Sequence, residues 1–143
     1  MPSVSKVCFF FEQKDLSLKN RGSLKAFIGS IFRKEKKKLD SLNYIFCSDK
    51  RLLEINRKYL GHDYFTDIIS FDLSDSGSVQ GEIYISVDRV RDNAQKLNLT
   101  YKSEFHRVII HGALHLCGYK DKTIKDAKKM RAMEDFYLFK YLC

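Results

Sequence analysis

The stretch Val108-Ile109-Ile110-His111-Gly112-Ala113-Leu114-His115-Leu116-Cys117-Gly118 constrains the fold more than any other part of this chain. It is apolar almost all round, which predicts a helix in the core and not one lying on the surface. Two of its few polar side chains, His111 and His115, are four residues apart. On a helix that spacing sets both imidazoles on one face, a turn apart, where one cation reaches both. Burying two imidazoles without partners is costly, and metal ligation resolves that cost. Gly118 suits a left-handed turn that ends the helix. Asp121 then falls where the reversed chain can bring a carboxylate back to the same cation. His-x3-His-x5-Asp offers two neutral nitrogens and one oxygen, a three-ligand set of the catalytic zinc type with a fourth position left over. Gly112 stands where H-E-x-x-H peptidases carry the glutamate that serves as general base.

The rest of the pattern places this helix in an α+β fold, with four strands in a small mixed sheet and about five helices packed on it. Val4–Phe11, Leu42–Phe46, Asp67–Phe71 and Glu82–Ser86 read as strands. Ser23 is expected to cap a first helix, with Leu24, Phe27, Ile28, Ile31 and Phe32 inward. Ser48 and Asp49 open a second helix, whose inner face is Leu52, Ile55, Asn56 and Tyr59, and Gly61 stops it. Ser86 caps a third helix with Val87, Val90, Ala94 and Leu97 inward. Thr100 opens the histidine helix, which runs to about Gly118. A last helix covers about Ile124–Tyr141, with Ala127, Met130, Met133, Tyr137 and Tyr141 inward. Asp75-Ser76-Gly77-Ser78 marks a turn between the third and fourth strands.

The chain of 143 residues carries 26 lysines and arginines against 18 acids, a formal charge of +8. That excess suits a polyanionic partner. Lys120, Lys122, Lys125, Lys128, Lys129 and Arg131 crowd the segment after the histidine helix, and Arg33 to Lys38 form a second basic run. No apolar run reaches the ~20 residues of a membrane helix, and no signal-peptide pattern precedes Val7–Phe11. The four scattered cysteines form no C-x-x-C pair, which argues against a zinc ribbon or redox motif and fits a reducing compartment. A single domain over residues 1–143, cytoplasmic, without membrane attachment or small organic cofactor, is the expectation.

The block His111-Gly112-Ala113-Leu114-His115-Leu116-Cys117-Gly118-Tyr119 closely resembles the signature of the YbeY family of metal-dependent endoribonucleases. Ile55-Asn56-Arg57-Lys58-Tyr59, Thr66-Asp67-Ile68-Ile69-Ser70-Phe71 and Gly81-Glu82-Ile83-Tyr84-Ile85-Ser86 resemble further family blocks, in the same order. The resemblance implies a zincin-like metal helix and one Zn2+ per chain. It also implies cleavage of single-stranded RNA in ribosomal RNA maturation, including the 16S 3′ end, and in ribosome quality control at the small subunit. The family holds its zinc with three histidines in H-x3-H-x5-H. His111 and His115 match the first two. Aligned without a gap, the third position is Asp121; with one residue inserted it is Lys122. A carboxylate is a competent ligand and a protonated lysine is not, which favours His111, His115 and Asp121. An oxygen donor also widens the choice to magnesium, manganese or another divalent metal.

The arginine that the family often carries after the aromatic at Tyr59 is Leu60 here. Arg57, three residues earlier, is the replacement expected to hold phosphate beside His111 and His115 as a catalytic group. Arg57, Lys120, Lys122 and Lys125 are the expected RNA contacts. Glu104 lies on the histidine helix about two turns before His111, and His106 about 140° round from it, off the metal face. Two rival readings remain. One is a non-catalytic RNA-binding ribosome-assembly factor with a structural metal. The other is a metallopeptidase-like hydrolase.

Overall fold

The structure, a computed structural model, describes residues 6–13, 16, 18–75 and 77–142. Four strands, β1 (Val7–Phe11), β2 (Leu39–Cys47), β3 (Ile68–Asp72) and β4 (Val79–Ser86), form one sheet in the spatial order β1-β2-β4-β3. β1 and β4 pair with β2 in parallel, and β3 runs antiparallel to β4 at the edge. The sheet is therefore mixed, as the pattern implied. Among the described residues, five α-helices accompany it: α1 (Arg21–Lys34), α2 (Asp49–Ile55), α3 (Val87–Lys96), α4 (Tyr101–Leu116) and α5 (Ile124–Leu142).

Alternation along the strands divides the apolar residues between two faces. Leu42, Tyr44, Phe46, Ile83 and Ile85 point into the main core with α1 and α4. Cys47 and Ile69, with Phe71 and Tyr84, meet Leu52 and Ile55 of α2 on the other side. Burial of Phe105, Val108, Ile109, Ile110, Ala113 and Leu114 anchors α4 in that main core. The hydroxyl of Tyr44 donates to the carbonyl of Ile109 at 2.8 Å, tying β2 to the middle of α4. The helix also lies close to the sheet at Gly112. A Cβ there would stand 2.8 Å from Ile83 Cδ1 and 3.1 Å from Ile68 Cδ1. Glycine costs about 1 kcal/mol in a helix interior, and here it lets the helix lie directly on the sheet. The same observation removes the peptidase glutamate, since a side chain at this position would run into the sheet.

Several ends differ from the sequence expectation. The structure begins β1 at Val7, and Val4 and Ser5 lie outside the described residues. β2 and β4 extend three residues further back than expected, whereas β3 runs from Ile68 to Asp72. α1 starts at Arg21 and not behind a Ser23 cap: Asn20 precedes it in a left-handed conformation, φ 56°, with no side-chain cap. Ser48, Ser86 and Thr100 do cap α2, α3 and α4, each accepting from the backbone N–H three residues on. α2 continues as a π-helical turn over Asn56–Leu60, closed by Gly61 at φ 67°. The wider turn breaks the 3.6-residue phase. Asn56 is accordingly buried as expected, but Tyr59 is exposed. Leu97 lies past the last residue of α3 and is exposed, and Ala127 is exposed on α5. Asp75 and Ser78 bridge the β3–β4 turn, in which Ser76 lies outside the described residues. Cys47 and Cys117 are buried and Cys8 half-buried, all as free thiols, and Cys143 lies outside the described residues. No described helix is long and apolar enough to cross a membrane.

Gly112→Val should lower stability by about 1–3 kcal/mol through overpacking against Ile83 and Ile68. Gly22→Ala, in α1 with nothing within 4 Å of the added methyl, should raise it by about 0.5 kcal/mol. Denaturant melts of the two variants check the pair.

Candidate metal centre

The C-terminus of α4 builds the site. Gly118 takes φ 107° and ends the helix. Its N–H donates to the carbonyl of His115, and that of Tyr119 donates to the carbonyl of Leu114, both at 3.1 Å. This pair of bonds is the Schellman arrangement, and it satisfies two carbonyls the helix end would leave open. The same turn places the carbonyl of Tyr119 2.8 Å from Nδ1 of His115. A carbonyl only accepts, so Nδ1 of His115 carries the proton and the neutral ring presents its lone pair at Nε2.

His111 is fixed in the same sense from a different element. Its Nδ1 lies 2.6 Å from Oε2 of Glu134, which α5 brings against α4. Glu134 is only 5% exposed and also accepts from Arg107 Nη1 at 3.1 Å. Arg107 is held in turn by Asp135 at 2.7 Å. Nδ1–H of His111 therefore points to a carboxylate, and Nε2 faces outward. There it lies 3.4 Å from Oδ2 of Asp121. Two donors at 2.0–2.1 Å from one tetrahedral ion stand about 3.4 Å apart, so this pair has the separation of two ligands on one metal. The imidazoles of His111 and His115 are 5.6 Å apart, centroid to centroid. His115 is exposed at the rim, and among the described residues no three His, Cys, Asp or Glu side chains already close into a finished cage. Glu35, at the end of α1, holds the segment carrying Asp121. It accepts from Tyr119 at 2.8 Å and from Tyr137 of α5 at 2.5 Å.

All three expected ligands line one cavity of about 680 Å³. Four carboxylates share it (Asp67, Glu104, Asp121 and Glu134), against Arg107, Arg131 and Lys122. The lining is thus formally negative by one charge with neutral histidines, and one divalent ion reverses that sign. A negative pocket needs such an ion before it can accept a phosphate. The donor set, the proton placement and the charge all fit a divalent metal.

Electrostatics bind the histidine to its partner. Burial disfavours the His111 cation, but Glu134, Asp121 and Asp67 outweigh it, and His111 titrates above its ordinary value. Burial alone would raise Glu134, yet His111 and Arg107 hold it below the usual carboxylate range. Burial pushes Asp67 up, with His111 opposing. Burial and then the charge of Asp67 raise Glu104.

Other expected site residues are distributed differently. Lys122 lines the cavity. Arg57 does not: it is exposed and pairs with Asp63. Lys120 lines a separate groove with Glu35, Lys37 and Lys129, and Lys125 is exposed outside the cavity. Leu60, where the resemblance implies arginine, lines the cavity, while Arg107 and Arg131 bring the guanidinium groups. His106 is buried off the site, with Nδ1 on the carbonyl of Lys102. His62 lines the cavity, stacked on Tyr64. Arg107 was within reach of sequence reasoning, because 104, 107, 111 and 115 follow one helix face. Glu134 carried no such signal, being 23 residues from its partner.

A model of the endoribonuclease YbeY family matches residues 9–142. The chain belongs to the YbeY family. An endoribonuclease YbeY of Cytophaga hutchinsonii is 52% identical over 130 residues, 90% of this chain and 91% of that protein. One from Porphyromonas gingivalis is 43% identical over 132 residues, 92% of this chain and 87% of that one. The solution structure of TM1509 from Thermotoga maritima superposes with a TM-score of 0.68 at 31% identity, covering 94% of this chain and 88% of the other. The YbeY match bears out both the resemblance and the mixed-sheet fold.

The His111–Glu134 pair has a defined pH signature in the metal-free protein. His111 is raised in the fold, so its contribution is full below its ordinary value of 6.5 and is lost as pH rises through the folded value. Glu134 is lowered, so its contribution is full above 4.5 and is lost as pH falls through the folded value. Glu134→Gln should therefore cost most between pH 4.5 and 6.5. Thermal melts in chelator should show a deficit on the order of 4 °C in that window, shrinking toward alkaline pH.

Proposed function

We propose that this chain is a metal-dependent endoribonuclease that cuts phosphodiester bonds in single-stranded ribosomal RNA, working at the small ribosomal subunit in the cytoplasm. Membership of the YbeY family supports the reaction class. The observation that carries the metal reading is the pairing of His111 Nε2 with Asp121 at 3.4 Å, while Nδ1 of each histidine is tied to an acceptor. His111, His115 and Asp121 would hold the ion, with zinc the first choice for two imidazoles and a carboxylate. Bound there, a divalent ion supplies Lewis acidity toward a phosphoryl oxygen and toward water.

The chain's own residues do the rest. Glu134 keeps the His111 lone pair directed into the cavity and raises its basicity as a ligand. Arg131 and Lys122 at the mouth meet the phosphate backbone and the negative charge of the transition state. Tyr64, exposed and stacked on His62, offers a flat face to an unpaired base. A base-paired strand cannot splay a base onto that face, which favours single-stranded substrate. The peptidase alternative lacks its glutamate, because Gly112 is packed against Ile83 and Ile68.

Cleavage of a labelled single-stranded RNA by the metal-loaded chain tests this reading. Chelation should abolish cutting, and restoring the metal should return it. Asp121→Ala should lower metal content, measured by elemental analysis, and cleavage together. Asp121→Ala protein that keeps its full metal content would eliminate the assignment of the third ligand. RNA that is bound and never cut by metal-loaded protein would favour an assembly factor with a structural metal.

A further inference from the structure

The cavity lies at one edge of the sheet, where Ile68, Ile69 and Ser70 of β3 line it. β1 forms the opposite edge. Two backbone bonds fix which way β1 faces: Leu42 N–H donates to the carbonyl of Lys6, and Glu12 N–H donates to the carbonyl of Phe46. Residues 6, 8, 10 and 12 thus turn their backbone polar groups toward β2. By the alternation of a strand, Phe9 and Phe11 turn theirs away from the sheet. Among the described residues no backbone hydrogen bond is made on that side of Phe9 or Phe11. An open row of N–H and C=O groups is a template for a further strand, and native edges are usually blunted by lysine, proline or a bulge. β1 reads Val-Cys-Phe-Phe-Phe in unbroken register, carries none of these devices, and leaves Phe10 51% exposed.

We propose that β1 pairs antiparallel with β1 of a second copy of this chain, about a two-fold axis at Phe9. In that register the strand is complementary to itself. Lys6 of each copy stands opposite Glu12 of the other, so the interface holds two symmetric pairs of opposite charge. Cys8 of each copy stands opposite the exposed Phe10 of the other. Both kinds of pair fall at positions without cross-strand hydrogen bonds, where opposed side chains come closest. The two Phe9 residues exchange N–H to carbonyl bonds across the axis. A register shifted by two residues loses both ion pairs. A partner strand of one charge sign would be attracted at one end of β1 and repelled at the other, whereas a reversed copy of β1 is attracted at both. The pairing joins the two sheets into one and leaves the two cavities at its far edges, so it stands independently of what the cavity binds or cuts.

Sedimentation equilibrium of the full chain tests this. It should show a reversible dimer of twice 16.8 kDa. Lys6→Glu, at an exposed position, should weaken the dimer about tenfold, because two attractive pairs become repulsive. Combining Lys6→Glu with Glu12→Lys restores opposite charges in the same register and should return most of the affinity, although Glu12 also gives up its pair with Arg51 at 3.6 Å. Phe10→Cys reads the register directly. Opposed Cα atoms about 4.5 Å apart lie within disulfide reach, so mild oxidation should link this variant to Cys8 of the second copy. The linked dimer should appear on a non-reducing gel and vanish when Cys8→Ser is added. A wild-type chain that stays monomeric at millimolar concentration would overturn the proposal. So would a dimer that Lys6→Glu leaves unchanged, or one in which Phe10→Cys gives no link that depends on Cys8.

Discussion

One hydrogen bond joins the fold of this chain to its chemistry: Nδ1–H of His111 to the carboxylate of Glu134. It is made between α4, which the core holds against the sheet, and α5, which packs across α4. The bond decides which nitrogen of His111 faces the cavity. It also allows a carboxylate to be almost wholly buried, since Glu134 accepts a hydrogen bond from the histidine and is paired with the Arg107 cation. Removing either partner would leave a charge stranded in the interior, which is far worse than never having had the pair. The position of α5 is thus coupled to the orientation of His111.

The turn after α4 does comparable work with backbone alone. Gly118 reverses the chain, gives His115 a carbonyl to bind and carries Asp121 back toward His111. One local motif therefore ends the helix, sets a tautomer and brings Asp121 within 3.4 Å of His111. The cavity so formed is rich in carboxylates although the chain as a whole is basic. Long-range attraction for a polyanion and local affinity for a cation are separated in space, with Lys122 and Arg131 where the two regions meet.

The parts of this architecture that rest on local chemistry were legible in the sequence. Ser48, Ser86 and Thr100 announce three helix starts because their hydroxyls satisfy exposed N–H groups. Gly61 and Gly118 announce two ends because glycine adopts positive φ without a steric cost. The histidine spacing and Asp121 follow from helix periodicity and one turn. The features that were not legible depend on contacts between distant segments or on broken periodicity. α1 begins after Asn20 with no side-chain cap, so Ser23 was the only visible signal. The π-helical turn at Asn56 rotates the residues beyond it, which exposes Tyr59 and leaves Arg57 with Asp63 and away from the cavity. Glu134 enters the site only through the packing of α5 on α4. Arg57, the expected phosphate-holding arginine, therefore lies outside the cavity, while Arg107 lines it one turn from His111.

The central claim is that His111, His115 and Asp121 hold one divalent ion. X-ray absorption spectroscopy at the metal edge of the purified chain tests it directly. The account predicts a first shell of nitrogen and oxygen donors only, with the multiple-scattering pattern of two imidazoles, reduced to one in His115→Ala. A sulfur donor, or a spectrum without imidazole scattering, would contradict it.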